Sequence, residues 1–257
     1  MTLTHDEITT ALRAAGCVFA EDEASLLLAT GSADLAALVA RRVAGEPLEV
    51  VVGWAEFCGL RIEIDAGVFV PRRRTEHLVH EAARLARSAT SPVVVDLCCG
   101  SGALGVALAH LLGSVQLYAA DVEPAAVRCA RRNVGAVGGQ VFEGDLDQPL
   151  PPSLRGRVDL LLANVPYVPT DAIALMPPEA RLHEPAVTLD GGSDGLAVLR
   201  RVAAVAPAWL APGGHLLVET SEEQAVGAVD AFAAAGLVAR VSEDDETGAT
   251  VVVGTAP

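Results

Sequence analysis

Residues 164–167, Asn-Val-Pro-Tyr, follow the apolar run VDLLLA and combine an amide side chain, a rigid turn and an aromatic ring. An amide nitrogen of a substrate is a poor nucleophile because its lone pair is delocalised into the carbonyl. The Asn164 side-chain carbonyl and the Val165 backbone carbonyl could accept its two N–H groups and fix it. Pro166 stiffens the turn, and Tyr167 could pack flat against a planar amide. The motif suits transfer of a group to a substrate nitrogen, although Asn and Pro also occur in ordinary turns.

A second candidate site follows an earlier apolar run, where residues 96–105 read DLCCGSGALG. Its glycines let the backbone approach a ligand, and the following helix would present free N–H groups. That pattern alone fits a dinucleotide fold equally well. Asp96 favours S-adenosylmethionine instead, because a carboxylate suits an ammonium and a sulfonium better than a pyrophosphate. We therefore expect cofactor contacts from Asp96, Cys98, Cys99, Gly100, Ser101 and Gly102; the alternative is a tight turn without a ligand.

Acidic residues end the next two apolar runs. Asp121, about twenty residues beyond the glycines, could accept hydrogen bonds from both ribose hydroxyls of an adenosine-type cofactor, or cap the following helix. Asp145 could accept from the adenine amino group while Leu146 packs on the ring, although a plain loop turn explains these two residues equally well. With Asn164, they complete the expected cofactor site.

The elements that would position these residues alternate between strand and helix from Pro92 onward. This alternation predicts an α/β fold with a mostly parallel sheet, helices on both faces and an antiparallel pair at the C-terminus. Ligands of such sheets bind beyond the carboxyl ends of the strands, where all the candidate residues lie. Before this unit, helical patterns at 5–15, 21–30 and 33–44, the last capped by Ser32, precede a hairpin over 50–70 and a helix at about 75–88.

The composition argues against several classes of protein and of site. The net charge is −15 and every one of the 18 basic residues is Arg, which disfavours a nucleic-acid substrate. The run of three arginines at 72–74 is interpreted as a solvated helix start rather than a phosphate clamp. Five cysteines without C-x-x-C spacing and six scattered histidines predict neither disulfides nor a metal site. No apolar stretch has the length of a membrane span and no secretion signal is present, so we expect a cytoplasmic protein without a membrane partner.

These motifs, in this order, resemble the class I amino-methyltransferases and, more narrowly, the protein-(glutamine-N5) methyltransferases of the HemK/PrmC type, which modify peptide-chain release factors. The resemblance covers nearly the whole chain. It includes the hairpin GEPLEVVVGWAEFCGLRIEID and a series of matching positions. These positions are Pro71, Arg72, Thr75, Glu76, Glu184, Pro185, Gly191, Gly192, Asp194, Gly195, Leu196, Glu219 and Gln224.

The resemblance implies a class I S-adenosylmethionine-dependent methyltransferase fold, Rossmann-like, with a seven-stranded sheet. It implies a helical substrate-docking domain at 1–48, a β-hairpin linker at 49–72 and a catalytic domain at 73–257. Asn164 and Tyr167 would be catalytic, residues 164–167 would bind a glutamine of a release factor, and S-adenosylhomocysteine would be the product. We expect no metal and a monomer.

Three positions depart from the family pattern: Val165 replaces a proline, Cys98 replaces a glycine, and Arg73-Arg74 replace a proline and an acid. They bear on which substrate is used. The alternatives are an amino-methyltransferase acting on another protein or on a nucleic-acid base, a nicotinamide-dependent dehydrogenase, and a binding module without activity. Asp96 and the Asn-Val-Pro-Tyr motif argue against the dehydrogenase, and intact Asn164 and Tyr167 argue against the binding module.

Overall fold

The computed structural model of this protein describes residues 3–86 and 90–257. Its α-helices are α1 His5–Ala14, α2 Ala20–Ala29, α3 Leu35–Val43, α4 Leu48–Val52, α5 Glu76–Leu85, α6 Ala103–Leu112, α7 Pro124–Ala136, α8 Pro178–His183, α9 Ala197–Val205 and α10 Ala225–Ala234. Its strands are β1 Trp54–Phe57, β2 Leu60–Glu63, β3 Val93–Leu97, β4 Gln116–Asp121, β5 Gln140–Glu143, β6 Val158–Ala163, β7 Leu210–Thr220, β8 Val238–Asp244 and β9 Ala249–Thr255. Among the described residues, no helix has the length and apolar character needed to cross a membrane.

Seven strands form one sheet in the order β5-β4-β3-β6-β7-β9-β8. The strands from β5 to β7 are parallel, whereas β9 runs antiparallel to both β7 and β8. The predicted mostly parallel sheet with an antiparallel C-terminal pair is therefore confirmed. The chain runs outward from β3 through β4 to β5 and then returns to the other side of β3 as β6. This reversal opens a crevice at the carboxyl ends of β3 and β6.

The central strands are apolar along their whole length because helices cover both faces of the sheet. Every residue of β3 is buried, and its side chains alternate between two cores. Val94 belongs to the core that includes α5, α6 and α7, whereas Val93, Val95 and Leu97 belong to the core that includes α9 and α10. With both faces packed, the strand ends are held rigidly, which suits a site that must place groups accurately.

The N-terminal helices have a small core of their own, to which Ile8, Leu12, Leu27 and Val51 contribute. The hairpin β1–β2, in contrast, packs its buried residues into the core beside the sheet. The division of the chain at 48 and 72 stays a prediction.

Local predictions fail at two places in this N-terminal part. Residues 50–52 were expected in a strand, yet they form the end of α4, and the hairpin starts only after Gly53, whose φ of +84° ends the helix. Val51 is buried in the helical core, so packing overrides the β preference of valine. Asp34, not Ser32, caps α3 by accepting the Ala37 N–H. Helix α5 ends at Leu85; residues 87 and 88 of the predicted helix lie outside the described residues.

Candidate active site

A cavity of about 300 Å³ lies beyond the carboxyl ends of β3, β4, β5 and β6. The predicted site residues that line it are Cys98, Cys99, Gly100, Ser101, Asp121, Asp145, Leu146, Asn164, Val165, Pro166 and Tyr167. Only Asp96 and Gly102, among the predicted residues, are absent from its wall. The structure therefore brings together four strand ends that are separated by up to seventy residues of sequence.

The loop after β3 turns sharply enough to require left-handed backbone. Cys98, Gly100 and Gly102 have φ values of +54°, +54° and +79°. A Cβ on Gly102 would approach a methyl carbon of Val134 to 2.5 Å, so this glycine also allows α6 to pack against α7. A Cβ on Gly100 would meet nothing within 4 Å, so the backbone there is open to the cavity. The loop presents backbone at the N-terminus of α6, as the sequence predicts.

Asp96 lies behind this loop and is fully buried. Its Oδ2 accepts the Gly105 N–H at 3.0 Å, while its Oδ1 has no hydrogen-bond partner among the described residues. Burial raises the pKa of Asp96 to about 8; the Gly105 N–H opposes this shift and the charge of Asp121 adds to it. Asp96 thus braces the start of α6, and direct contact between its carboxylate and a cofactor stays a prediction.

Asp121 reaches the cavity and also shapes the loop beside it. Its Oδ2 accepts the Gly100 N–H at 2.8 Å and its Oδ1 accepts the Glu123 N–H at 2.9 Å. Burial raises the pKa of Asp121, and these N–H groups limit the shift. Each carboxylate oxygen has a second lone pair, so both can still accept a ligand hydroxyl.

Asp145 and Leu146 lie at the far end of the same wall. Leu146 is buried with a φ of +50°, and it both packs in the core and lines the cavity. Asp145 pairs with Arg201 at 2.6 Å, so one of its oxygens is already engaged. The proposed acceptance from an adenine amino group would use what remains of this carboxylate and stays a prediction.

The Asn-Val-Pro-Tyr segment continues directly from β6. The Asn164 Nδ2 donates to the Thr75 hydroxyl at 3.4 Å, which leaves the Asn164 carbonyl free to accept. Val165 is 2% exposed and packs in the core, so its side chain anchors the turn; the residue also lines the cavity. Tyr167 lines the same cavity. Two acceptors and one aromatic face therefore follow each other at one strand end.

Arg72 and Arg74, which the sequence analysis interprets as part of a solvated helix start, form ion pairs with acidic residues. Arg72 pairs with Glu184 and Arg74 with Glu219; both carboxylates are buried. Arg72 and Arg74 also line the cavity, whereas Arg73 does not. Burial raises the pKa of Glu184, and Arg72 opposes that shift. The interpretation as an exposed helix start therefore agrees with the structure, but it does not include the pairing of Arg72 and Arg74 with buried carboxylates.

The chain was compared with known families, proteins and structures. The family described as "Methyltransferase small domain" matches residues 61–189. Release factor glutamine methyltransferase of Geobacter sulfurreducens is 41% identical over 219 residues, which cover 84% of this chain and 75% of that protein.

The chain belongs to the release factor glutamine methyltransferase family.

Two further proteins are similar to this chain. A 4-amino-L-phenylalanine/4-methylamino-L-phenylalanine methyltransferase of Streptomyces pristinaespiralis is 37% identical over 203 residues, covering 77% of this chain and 69% of that enzyme. The crystal structure of a methyltransferase from Pyrococcus furiosus has a TM-score of 0.55 and 14% identity, covering 77% of this chain and 89% of that one, and so shares the fold. The predicted family, fold class and enzymatic nature are confirmed.

Within this release factor glutamine methyltransferase family member, sequence reasoning missed several residues that support the Asn-Val-Pro-Tyr segment. Thr75, Arg74 and Glu219 contact Asn164 or Tyr167, although they were counted only as parts of matching or departing motifs. Glu219 carries a usable signal, since it lies at the end of the apolar run in β7, where ligand-side residues collect. Arg74 carries none, because its partners are 93 and 145 residues away.

Proposed function

We propose that this chain transfers a methyl group from S-adenosylmethionine to the side-chain amide nitrogen of a glutamine in a protein, and that this protein is a peptide-chain release factor. The observation that carries the proposal is the Asn164 amide. Thr75 takes its N–H group, so its carbonyl is free to accept a substrate N–H in the cavity that the glycine loop also lines. Membership of the family supports the choice of substrate.

The residues present fit S-adenosylmethionine. The open backbone at Gly100 and the N-terminus of α6 would hold its charged amino-acid part, Asp121 would accept from the ribose, and Leu146 would contact the adenine. The orphaned Oδ1 of Asp96 places a further polar atom behind the same loop. When bound, this cofactor supplies a methyl group that is already activated by the sulfonium.

The protein's part of the reaction is positioning and charge stabilisation. The Asn164 side-chain carbonyl and the Val165 backbone carbonyl accept the two N–H groups of the substrate amide and direct its lone pair. As positive charge develops on the nitrogen, these two fixed dipoles stabilise it. The Tyr167 ring packs against the amide plane. No general base is needed before transfer, because the nitrogen becomes acidic once it is methylated.

The helices of residues 1–48 would dock the protein substrate, with the hairpin and residues 73–257 presenting the catalytic cavity. The resemblance to the family supports this docking role, and the helices pack on a small core of their own. A release factor acts with the ribosome, so we place the enzyme in the cytoplasm. We propose that it works as a monomer and requires neither a membrane nor nucleic acid.

A second candidate substrate is the aromatic amine of a free amino acid, as the name of the Streptomyces pristinaespiralis relative indicates for that enzyme. The observation that favours it here is the lining of the cavity, which includes Phe69, Met176, Val187 and Leu189 as well as Arg72 and Arg74. Apolar residues suit an aromatic ring, and a guanidinium suits a carboxylate.

One experiment separates these substrates. The protein is incubated with S-adenosylmethionine and either a release factor or 4-amino-L-phenylalanine, and products are analysed by mass spectrometry. We expect a gain of one methyl group on one glutamine of the release factor, and none on a release factor in which that glutamine is replaced by Asn. Methylation of the free amino acid alone would replace the first proposal by the second, and methylation of neither would contradict both.

A further inference from the structure

Three side chains from distant parts of the chain meet at the hydroxyl group of Tyr167. The Tyr167 hydroxyl donates to Glu219 Oε1 at 3.2 Å and accepts a hydrogen bond from Arg74 Nη2. Arg74 Nε donates to the same Glu219 oxygen at 3.1 Å. Each pair is therefore in direct contact, and the three form a closed triangle.

Burial of the Glu219 carboxylate in this triangle costs free energy. The Glu219 side chain is 1% exposed, and within residues 3–86 and 90–257 its Oε2 has no hydrogen-bond partner. A carboxylate removed from water destabilises the fold unless a counter-ion compensates it, and Arg74 is that counter-ion. Burial first, and the charge of Glu219 second, raise the pKa of the Tyr167 phenol well above its ordinary value, so the hydroxyl stays protonated and keeps its donor.

The other end of Tyr167 is fixed as well. Gln224 Nε2 donates to the Tyr167 backbone carbonyl at 2.9 Å. A Cβ on Gly195 would come within 2.3 Å of that carbonyl oxygen, so only glycine allows this approach. With the backbone held, the remaining freedom of Tyr167 is rotation of its side chain, and Glu219 and Arg74 restrict that rotation through the hydroxyl.

We propose that Glu219 and Arg74 are positioning residues that hold the Tyr167 ring in the orientation that packs against the substrate amide. This inference rests on the proposed function of Tyr167. Arg74 stands where the family pattern has an acid, so the positive corner of the triangle is particular to this chain. Neither residue exchanges a proton or contacts the reacting nitrogen; both act through the ring.

The kinetic test is a double-mutant cycle with Tyr167→Phe, Glu219→Ala and Arg74→Ala. Tyr167→Phe and Glu219→Ala should each lower kcat for the release factor by about tenfold, with little change in the Kd of S-adenosylmethionine. The double variant Tyr167→Phe/Glu219→Ala should have a kcat no lower than that of the poorer single variant, because both substitutions remove the same restraint on the ring. Glu223→Gln, an exposed acid nearby, is the matched control and should be unchanged. Effects that multiply in the double variant would overturn the proposal.

A second measurement does not depend on activity, so it stands even if the substrate assignment fails. The chain has two tyrosines, so 3-fluorotyrosine labelling gives two ¹⁹F resonances, and Tyr118→Phe assigns them. Glu219→Ala and Arg74→Ala should shift and broaden the Tyr167 resonance while Glu223→Gln leaves it in place. If Glu219→Ala fails to fold, Glu219→Gln retains the size and an acceptor oxygen but not the charge, and should give a smaller shift. An unchanged Tyr167 resonance in a folded variant would overturn the proposal.

Discussion

The cavity has a cofactor end, the proposed site of S-adenosylmethionine, and a substrate end, the proposed site of the amide, and the two are built in different ways. At the cofactor end, each wall segment follows its own strand, and the carboxylates of Asp96 and Asp121 accept backbone N–H groups of the glycine loop and the helix starts. At the substrate end, contacts join residues that are far apart, such as Arg74 with Glu219 and Asn164 with Thr75. The first end depends on backbone geometry, and the second depends on long-range side-chain contacts.

This difference teaches where each end is vulnerable and adaptable. Backbone conformation at a glycine loop tolerates few residue types, so the cofactor end should respond to substitutions mainly through stability. Side-chain networks can be rebuilt with other residues, so the substrate end can change its selectivity without changing the fold. Two of the departures from the family pattern, Val165 and Arg73-Arg74, lie at the substrate end.

The largest expected effect is at the substrate end. Asn164→Ala removes one of the two acceptors for the substrate amide, so kcat for methylation should fall by about 10²–10³-fold. The Kd of S-adenosylmethionine, measured by isothermal titration calorimetry, should change by much less. Normal methylation by this variant would show that the two-carbonyl arrangement is wrong.

Thr75 provides a graded control for that result. Thr75→Val keeps the shape of the side chain but removes the hydroxyl that orients the Asn164 amide, so we expect a loss of about tenfold in kcat. Thr75→Ser keeps the hydroxyl and should lose little. Equal losses in both variants would mean that packing of the methyl group, and not the hydrogen bond, is important.

At the cofactor end, Asp96 gives the next largest effect through pH. Its folded-state pKa of about 8 exceeds its ordinary value of 3.8, so the folded protein binds a proton that the unfolded chain releases. Stability from this group is complete below pH 4, is lost as pH rises toward 8, and changes no further above it. Asp96→Asn has no titratable group at this position. The free energy of unfolding of the variant minus that of the wild type should therefore increase between pH 5 and 8 by on the order of 1 kcal/mol per pH unit.

Denaturant titrations of both proteins at pH 5, 6, 7, 8 and 9 test this expectation. The difference in free energy of unfolding should rise and then level off above pH 8, and Asp121→Asn offers a comparison at a neighbouring buried acid. A difference that stays constant from pH 5 to 8 would mean that Asp96 is ionised throughout that range.

The same contrast explains what could be predicted from sequence. The strand ends of β3, β4 and β6 follow apolar runs that are easily recognised, and Asp121 and Asn164 line the cavity as expected. The pairing of Arg74 with Glu219 leaves no local pattern, because it depends on two segments meeting in three dimensions. Arginines read along the chain therefore looked solvated, although two of them neutralise buried carboxylates.

Errors in the N-terminal part have the same origin. The run Val50-Val51-Val52 has strong strand propensity, yet it forms helix α4 because Val51 fills the small helical core. For Asp96, the sequence correctly indicates a residue at a strand end beside the glycine loop, but it does not indicate that the side chain is buried. Burial behind the loop cannot be read from the neighbouring residues in sequence.

A smaller effect is expected at Cys98, which has a φ of +54° where the family has glycine. A residue with a Cβ is strained in this conformation, so Cys98→Gly should be more stable than Cys98→Ala by about 1 kcal/mol. Cys99 is the matched control, since its φ is negative; there the Ala variant should be the more stable one. Thermal unfolding of the four variants measures both differences, and the same order at both positions would contradict the strain argument.

The smallest effect concerns the link between the N-terminal helices and the cavity. Arg42 of α3 is bound to Glu23 in the helical core and lies 3.5 Å from Glu179 of α8. Helix α8 belongs to the segment between Val168 and Gly191, which also supplies residues of the cavity wall. If the N-terminal helices dock a protein, this ion pair keeps the docking surface in register with the cavity.

Glu179 is about half exposed, so the pair contributes about 0.5 kcal/mol or less. Glu179→Gln should therefore raise the KM for the release factor about twofold and leave its kcat unchanged, while Asp171→Asn, an exposed acid in the same segment, should alter neither. Added salt should remove the difference between Glu179→Gln and the wild type, since screening weakens the pair in both the free and the substrate-bound protein. A fall in kcat with an unchanged KM would instead mean that the ion pair maintains the shape of the cavity. The long-range contacts on which the substrate end depends would then include contacts with the N-terminal helices.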